Sequence, residues 1–208
     1  MSDAGDRVPA RERWNARYGA AGFHAFPDTP AAWLVEHHEL LAAMRTEGRV
    51  PRALDVACGD GRNARWLAEL GFAVDAVDVS DVAIGALRRA AEERGLAVDA
   101  RVLDLEQDAL PVGEHDVVVC MHFLQRDAFG SLQAALRPGG VLLYETFTRD
   151  HVEVLGRRFD PAFVLERNEL LHAFAGLHVR HYREGVIERD EQARAVASLL
   201  AQRPPAES

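Results

Sequence analysis

Between residues 52 and 147 short apolar runs alternate with amphipathic helical patterns, and that rhythm admits few folds. "RALDVA" (52–57) reads as a strand, and "RNARWLAEL" (62–70) as a helix stopped by Gly71. "FAVDAVDVS" (72–80) is a second strand, and its last residue, Ser80, can cap the helix "DVAIGALRRAAEERG" (81–95). "AVDARVLDL" (97–105) and "HDVVVCM" (115–121) follow as strands, the latter apolar enough to be buried on both faces. Asp127 can cap the helix "AFGSLQAALR" (128–137), and the turn "PGG" leads into the strand "GVLLYETF" (140–147). Strands of this kind, each followed by a helix, call for a parallel sheet covered on both faces. The rhythm then changes. "NELLHAF" (168–174) is a short helix, while "LHVRHYREGVIE" (177–188) and "ARAVASLLAQ" (193–202) are separated by too few residues for a crossover. They are expected to pair antiparallel. The fold class is therefore α/β: a doubly wound, mostly parallel seven-stranded sheet with an antiparallel C-terminal strand pair.

Upstream, "ERWNARYGAAGFHAFPDTP" (12–30) suits a short helix followed by a loop lying over something. In residues 31–47, Trp33, Leu34, His37, Leu40, Leu41 and Met44 recur at helical spacing, which predicts one amphipathic helix. The division expected is an N-terminal helical cap over 1–50, a cofactor-binding domain over 51–203 and a disordered tail over 204–208, with "MSDAGDR" also frayed. The formal charge of −9, with no basic block, disfavours nucleic acid and leaves a small-molecule substrate as the expected partner. No apolar run is long enough to span a bilayer and no signal-peptide pattern opens the chain, so no membrane partner is expected and a cytoplasmic location is. Cys58 and Cys120 fit a reducing compartment and form no zinc pattern; no metal is expected, and the protein is read as a monomer or homodimer. All 24 basic residues are arginine, which excludes Schiff-base chemistry and lysine general bases.

The stretch "LDVACGDGRNARWLAELG" (54–71) joins the first strand to its helix. Gly59, Gly61 and Ala64 fit G-x-G-x-x-G/A, which in this context reads as a pyrophosphate cradle and admits a nicotinamide-dependent oxidoreductase. Three acids favour another ligand. Asp55 precedes the turn, Asp78 closes the second strand and Asp104 the third, so all three are placed along the carboxyl ends of the sheet. Asp78 suits the ribose hydroxyls of any adenosine ligand. Two phosphates beside Asp55 would be unfavourable, whereas an ammonium and a sulfonium would be favoured there. S-adenosyl-L-methionine carries both, with no phosphate. Asp104 can accept from its adenine amino group while Leu105 packs on the base.

"LDVACGDGRNARWLA", "VDAVDVS", "RVLDLE", "HDVVVCMHFLQ" and "LRPGGVLLYETF" resemble, in order and spacing, the motifs of class I S-adenosylmethionine-dependent methyltransferases over about residues 50–205. Ala57 stands where the family's loop usually has its first glycine, with Gly59 in the middle and Gly61 last. "WNARY" together with the C-terminal third looks like the tellurite-resistance-type methyltransferases. The resemblance implies a Rossmann-like methyltransferase fold, S-adenosyl-L-methionine as cofactor and a small acceptor such as a chalcogen oxyanion or thiol. It implies that Gly59 and its neighbours Ala57, Cys58 and Asn63 meet the methionyl part, Asp78 and Val79 the ribose, and Asp104 and Leu105 the adenine. Trp14, Arg17 and Tyr18 would close over the cofactor, and Cys120, Met121 and His122 would lie near the point of methyl transfer. A non-catalytic cofactor-binding protein is the remaining alternative, because the fold alone does not fix function.

His122 is the candidate general base, the other role for it being to cap a strand end. Glu145, a charge in an apolar run, either faces the pocket or pairs with an arginine of a neighbouring helix. Arg126, Arg149, Arg157 and Arg158 either hold an anionic substrate or are solvated surface residues. Both cysteines read as small buried packing residues, and neither His37–His38 nor His178/His181 forms a metal signature.

Overall fold

The computed structural model describes residues 8–46, 48–189 and 192–206, so the fraying expected of 1–7 and the end of the tail fall outside the described residues. Five strands run parallel: β1 (Arg52–Val56), β2 (Ala73–Asp78), β3 (Val98–Val102), β4 (His115–Met121) and β5 (Leu136–Phe147). β6 (His178–Arg189) and β7 (Gln192–Gln202) form the expected antiparallel pair, with β7 inserted between β5 and β6. The full order is β3-β2-β1-β4-β5-β7-β6. β4 lies near the middle and is buried at every position, which accounts for its apolar run Val117–Met121 after the polar His115 and Asp116.

Helices cover both faces. α4 (Arg62–Glu69) and α5 (Asp81–Glu93) lay Leu67, Ile84 and Leu87 on one face, where Phe72 and Val74 join them. Ser80 caps α5 as its sequence promises, its Oγ accepting from the Ala83 N–H at 3.2 Å. α6 (Phe129–Ala135) and α8 (Glu169–Ala173) cover the other face with Leu132, Ala135 and Leu170, packed against Tyr144 and Phe174. Between α6 and α8 lies the short α7 (Asp150–Glu153). No helix among the described residues is long and apolar enough to cross a membrane.

The expected N-terminal cap divides in two. α1 (Ala10–Tyr18) buries no residue of its own and docks on the start of α5, where Asn15 Oδ1 accepts from Ser80 Oγ at 2.7 Å and Arg11 pairs with Asp81 at 3.1 Å. Residues 31–44, in contrast, belong to the main core, contributing Ala31, Trp33, Leu34 and Leu41. The single helix expected there is broken into α2 (Ala32–Glu36) and α3 (His38–Ala42). The cause is His37. Its ring Nδ1 bonds the Trp33 carbonyl at 2.8 Å, the acceptor its own N–H would use in a continuous helix, and that N–H turns to Leu34 O instead.

Other departures are local. The third strand stops at Val102 rather than 105, because Asp104 organises a turn. Asp127 lies inside a 3-10 turn (Arg126–Ala128) rather than at the cap of α6, which has no side-chain cap. β5 starts earlier than expected and runs through "RPGG". A β-carbon at Gly140 would sit 2.8 Å from the His115 carbonyl oxygen and 3.1 Å from that of Asp116, so β4 and β5 approach here only through glycine.

An ion network lies towards the amino ends of β1 and β4, remote from the strand ends where ligands bind in such sheets. Asp75 accepts from His115 Nε2 at 2.9 Å, Arg52 Nη2 at 2.8 Å and Arg101 Nη2 at 2.7 Å, with the His115 side chain fully buried. Asp116 accepts from Arg49 Nη2 at 2.6 Å and from the Arg52 N–H at 2.8 Å.

Candidate functional site

From β1 the chain moves out to β2 and β3, then returns to β4 and β5 on the other side. The carboxyl ends of β1 and β4 are therefore the topological switch point, where open α/β sheets bind ligands. A cavity of about 770 Å³ lies there, walled by the turns after β1, β2, β3 and β4 and roofed by α1 and the loop after it.

The turn after β1 is built on left-handed backbone: φ is +55° at Ala57, +57° at Gly59 and +87° at Gly61. The first of these explains why a glycine suits that position and shows that Ala57 bears the modest cost of occupying it. Three N–H groups of the turn are bonded within the protein. The N–H of Cys58 donates to Val77 O at 3.0 Å, that of Gly59 to Asp78 Oδ2 at 2.9 Å, and that of Gly61 to Cys58 O at 3.1 Å. A pyrophosphate cradle needs such groups pointing outward and free. Here they are committed inside the protein. Packing adds a second constraint at Gly61, where a β-carbon would lie 2.1 Å from Cδ1 of the fully buried Leu87. Gly61→Ala is expected to cost about 3 kcal/mol from overpacking and left-handed strain together, read as a lower urea midpoint; an unchanged midpoint would mean that Leu87 repacks freely.

The three acids have distinct surroundings. Asp78 lines the cavity and braces the turn, its second oxygen accepting from the Ser80 N–H at 2.8 Å. Burial raises its pKa, against the pull of the backbone N–H groups that it accepts. A carboxylate has further lone pairs, so those two bonds leave capacity for a ligand hydroxyl. Asp55 lies beneath the turn, fully buried and not among the lining residues, with Oδ2 unpartnered. Burial pushes its carboxyl up to about 7, with Arg62 and the Ala64 N–H opposing and Asp78 adding to the rise. The sequence placed it at the mouth of the turn; the structure puts it behind the wall, out of contact with the cavity. Asp104 does line the cavity, beside Leu103 and Leu105, but its carboxylate accepts from the Glu106 N–H at 3.0 Å and Gln107 Nε2 at 3.1 Å.

A methyltransferase domain model matches residues 53–140, the segment that carries this turn and strands β1 to β4. A ubiquinone biosynthesis O-methyltransferase of Burkholderia multivorans is 29% identical over 147 residues, covering 68% of this chain and 60% of that protein. Two solved structures share the fold. One, from work on conversion of a disulfide bond into a thioacetal group during echinomycin biosynthesis, has a TM-score of 0.70 at 22% identity, covering 95% of this chain and 93% of that one. The other, TehB from Haemophilus influenzae, has a TM-score of 0.67 at 18% identity, covering 93% of this chain and 66% of that one. Residues 53–140 thus carry a methyltransferase domain, and the chain as a whole has the fold of S-adenosylmethionine-dependent methyltransferases and is similar to them in sequence. It spans about 60% of the length of the curated relative it matches.

Against that family the remaining site residues can be placed. Trp14, Arg17 and Tyr18 all line the cavity from α1, with the Arg17 guanidinium 4.9 Å over the Trp14 ring. A β-carbon at Gly59 would lie 2.4 Å from the Tyr18 hydroxyl, so the helix closes directly on the turn. Burial, with Asp78 adding, drives the Tyr18 pKa far upward, keeping the phenol neutral. Ala57, Cys58, Gly59, Asn63 and Val79 line the same half of the cavity. Gly61 does not; its place is under Leu87. Asn63 Oδ1 accepts from the Ala31 N–H at 2.9 Å and ties the α4 start to the N-terminal segment. Of the three residues ending β4, Met121 and His122 line the cavity, while Cys120 is sealed within the sheet with its thiol pKa raised by burial.

His122 has φ of +56°, a conformation rare for a side chain of this size and typical of functional turns. Its ring is clamped between Phe26, 4.3 Å away, and Phe147, 5.4 Å away, both near parallel to it. Glu145 does not reach the cavity. It is buried in the sheet, accepting from Ser198 Oγ at 2.6 Å and facing Arg183 Nη2 at 3.5 Å, so its arginine comes from strand β6 rather than a helix. Of the four arginines after β4 and β5, Arg158 lines the cavity, whereas Arg126 is taken by Glu169 and Arg149 by Glu166.

Sequence reasoning passed over Phe26, Phe159 and Arg62. Phe26 and Phe159 lie in loops, and only the aromatic content of "FHAFPD" and "RRFDP" marked them. Arg62 stood in plain view after Gly61; its guanidinium turns back 4.6 Å over Phe26.

Proposed function

We propose that this protein transfers a methyl group from S-adenosyl-L-methionine to a small aromatic hydroxyl acceptor. The observation that carries the cofactor half is the committed state of the turn's N–H groups: Cys58, Gly59 and Gly61 have none to offer a pyrophosphate. A ligand with an amino-acid tail and a ribose suits the same turn, with Asp78 for the ribose and, behind the wall, Asp55, a buried carboxyl whose ionised form a ligand cation would favour. Asp104 and Leu105 are positioned for the adenine, and Trp14, Arg17 and Tyr18 close over it. When bound, the cofactor supplies an electrophilic methyl carbon on a sulfonium.

The chain's own contribution is alignment and dryness. Phe26, Phe147 and Phe159 form an apolar wall beside Met121, suited to a flat ring and to excluding water. His122, held rigid between two phenyl rings at the end of β4, is the group to take a hydroxyl proton as the oxygen becomes nucleophilic. The name of the Burkholderia relative, an O-methyltransferase, supports a hydroxyl over the chalcogen or thiol acceptors that the TehB-type resemblance suggests.

Labelled-methyl transfer to phenols and catechols, run beside thiols and tellurite, tests this reading. Phenolic products with loss of turnover in His122→Ala are expected; transfer confined to thiols or tellurite would overturn the acceptor assignment. Asp78→Ala is expected to weaken S-adenosylhomocysteine binding about 100-fold, through loss of charge-assisted bonds to the turn and the ribose. Calorimetry reads it directly, and an unchanged affinity would remove Asp78 from the cofactor contacts.

A further inference from the structure

A second, smaller recess of about 180 Å³ adjoins the main cavity at His122 and Arg62. Arg62 and His122 belong to its wall as well as to that of the main cavity. Arg194, from β7, lines it with them, the remaining wall is residues 27 and 29–32, and no carboxylate lines it among the described residues. Arg62 donates here from Nη1 to the Thr29 carbonyl at 3.2 Å and stacks on Phe26, so most of its fork is uncommitted to hydrogen bonds. Two guanidiniums brought into one recess repel each other, and an oxyanion between them relieves that repulsion with bidentate bonds.

We infer that this recess holds an oxyanion substituent of the acceptor, a carboxylate or phosphate, while the reacting hydroxyl lies in the main cavity beside His122. The inference rests on the methyl-transfer reading for the identity of the ligand, and on Arg62 and Arg194 for the site. Burial already works against the Arg62 charge and Arg194 adds to that, with Asp55, Asp60 and Glu145 offsetting it in part. An anion in the recess completes the neutralisation.

The test is titration of the S-adenosylhomocysteine-loaded protein with benzoate, with its neutral isostere benzamide, and with inorganic phosphate, in wild type and Arg194→Gln. Benzoate is expected to bind at least 10-fold more tightly than benzamide, and Arg194→Gln to abolish that preference while S-adenosylhomocysteine affinity stays unchanged. Equal affinities, no binding of either arene, or a preference that survives Arg194→Gln would overturn it. Phosphate binding lost in Arg194→Gln without any benzoate preference would assign the recess to a free anion, which also overturns the acceptor assignment. If S-adenosylhomocysteine itself fails to bind, the methyl-transfer reading has failed, and the arene pair run on the free protein still reports on the recess.

Discussion

Between pH 4 and pH 7 the stability of wild-type protein relative to Asp55→Asn is expected to fall, by up to about 4 kcal/mol. The native carboxyl keeps its proton to about pH 7 because burial beneath the β1 turn disfavours the charge. An unfolded chain gives that proton up near pH 4. In the interval the native state binds more protons, so its advantage, complete below pH 4, is lost as pH rises towards 7. Asp78, also raised by burial, works in the same direction. His151, whose pKa burial lowers, works in the opposite one, since its native ring stays neutral where the unfolded ring is charged. Subtracting the variant cancels the His151 contribution and most of that of Asp78, which is coupled to Asp55 by charge. Asparagine keeps an oxygen for the Ala64 N–H, so the fold is retained. Urea titrations of both proteins at half-unit steps give the difference; a flat line would mean that Asp55 is ionised throughout and that the turn does not isolate it from solvent.

Asp75→Ala is expected to destabilise the fold by about 3–5 kcal/mol, the cost of breaking a buried pair from one side. For a chain of this size that is a thermal midpoint lower by about 10 °C. The fully buried His115 ring loses its strong partner and keeps only a 3.4 Å contact to the Ala135 carbonyl, while Arg52 and Arg101 are left half exposed. In wild type the His115 bond, followed by Arg52, holds the Asp75 carboxyl far below the usual range. Its contribution is therefore present above pH 4 and fades as pH falls, the reverse of Asp55. Scanning calorimetry at pH 7 and at steps from pH 4 down to pH 2 checks both points. A loss under 1 kcal/mol at pH 7 would show that the network is a solvated surface feature.

The sheet was legible because its signals are local and redundant. β4 is apolar at nearly every position since both of its faces are covered, and Ser80 is a cap at the one place where a strand turns into α5. The short gap before β7 announced the antiparallel pair, although its insertion between β5 and β6 depends on edge packing that no local pattern records. Failures arose where a side chain competes with the backbone. His37 breaks a helix whose apolar spacing is sound, and Asp104 forms a turn where alternation continues a strand. At the site, the acids and the glycine turn were visible as sequence, but the turn's meaning was not. Gly59 and Gly61 suit two cofactors by spacing; in the sequence the acids weighed against a pyrophosphate, and in the structure the bonded N–H groups of the turn do so as well. The Phe26–His122–Phe147 stack joins three distant segments and had no signal at all beyond residue type.

Calorimetric titration of the same protein sample with S-adenosylhomocysteine and with NADH tests the central claim most directly. The account predicts stoichiometric binding of S-adenosylhomocysteine and none of NADH, because the turn after β1 has spent its N–H groups on Val77, Asp78 and Cys58. Binding of NADH with no response to S-adenosylhomocysteine would contradict it.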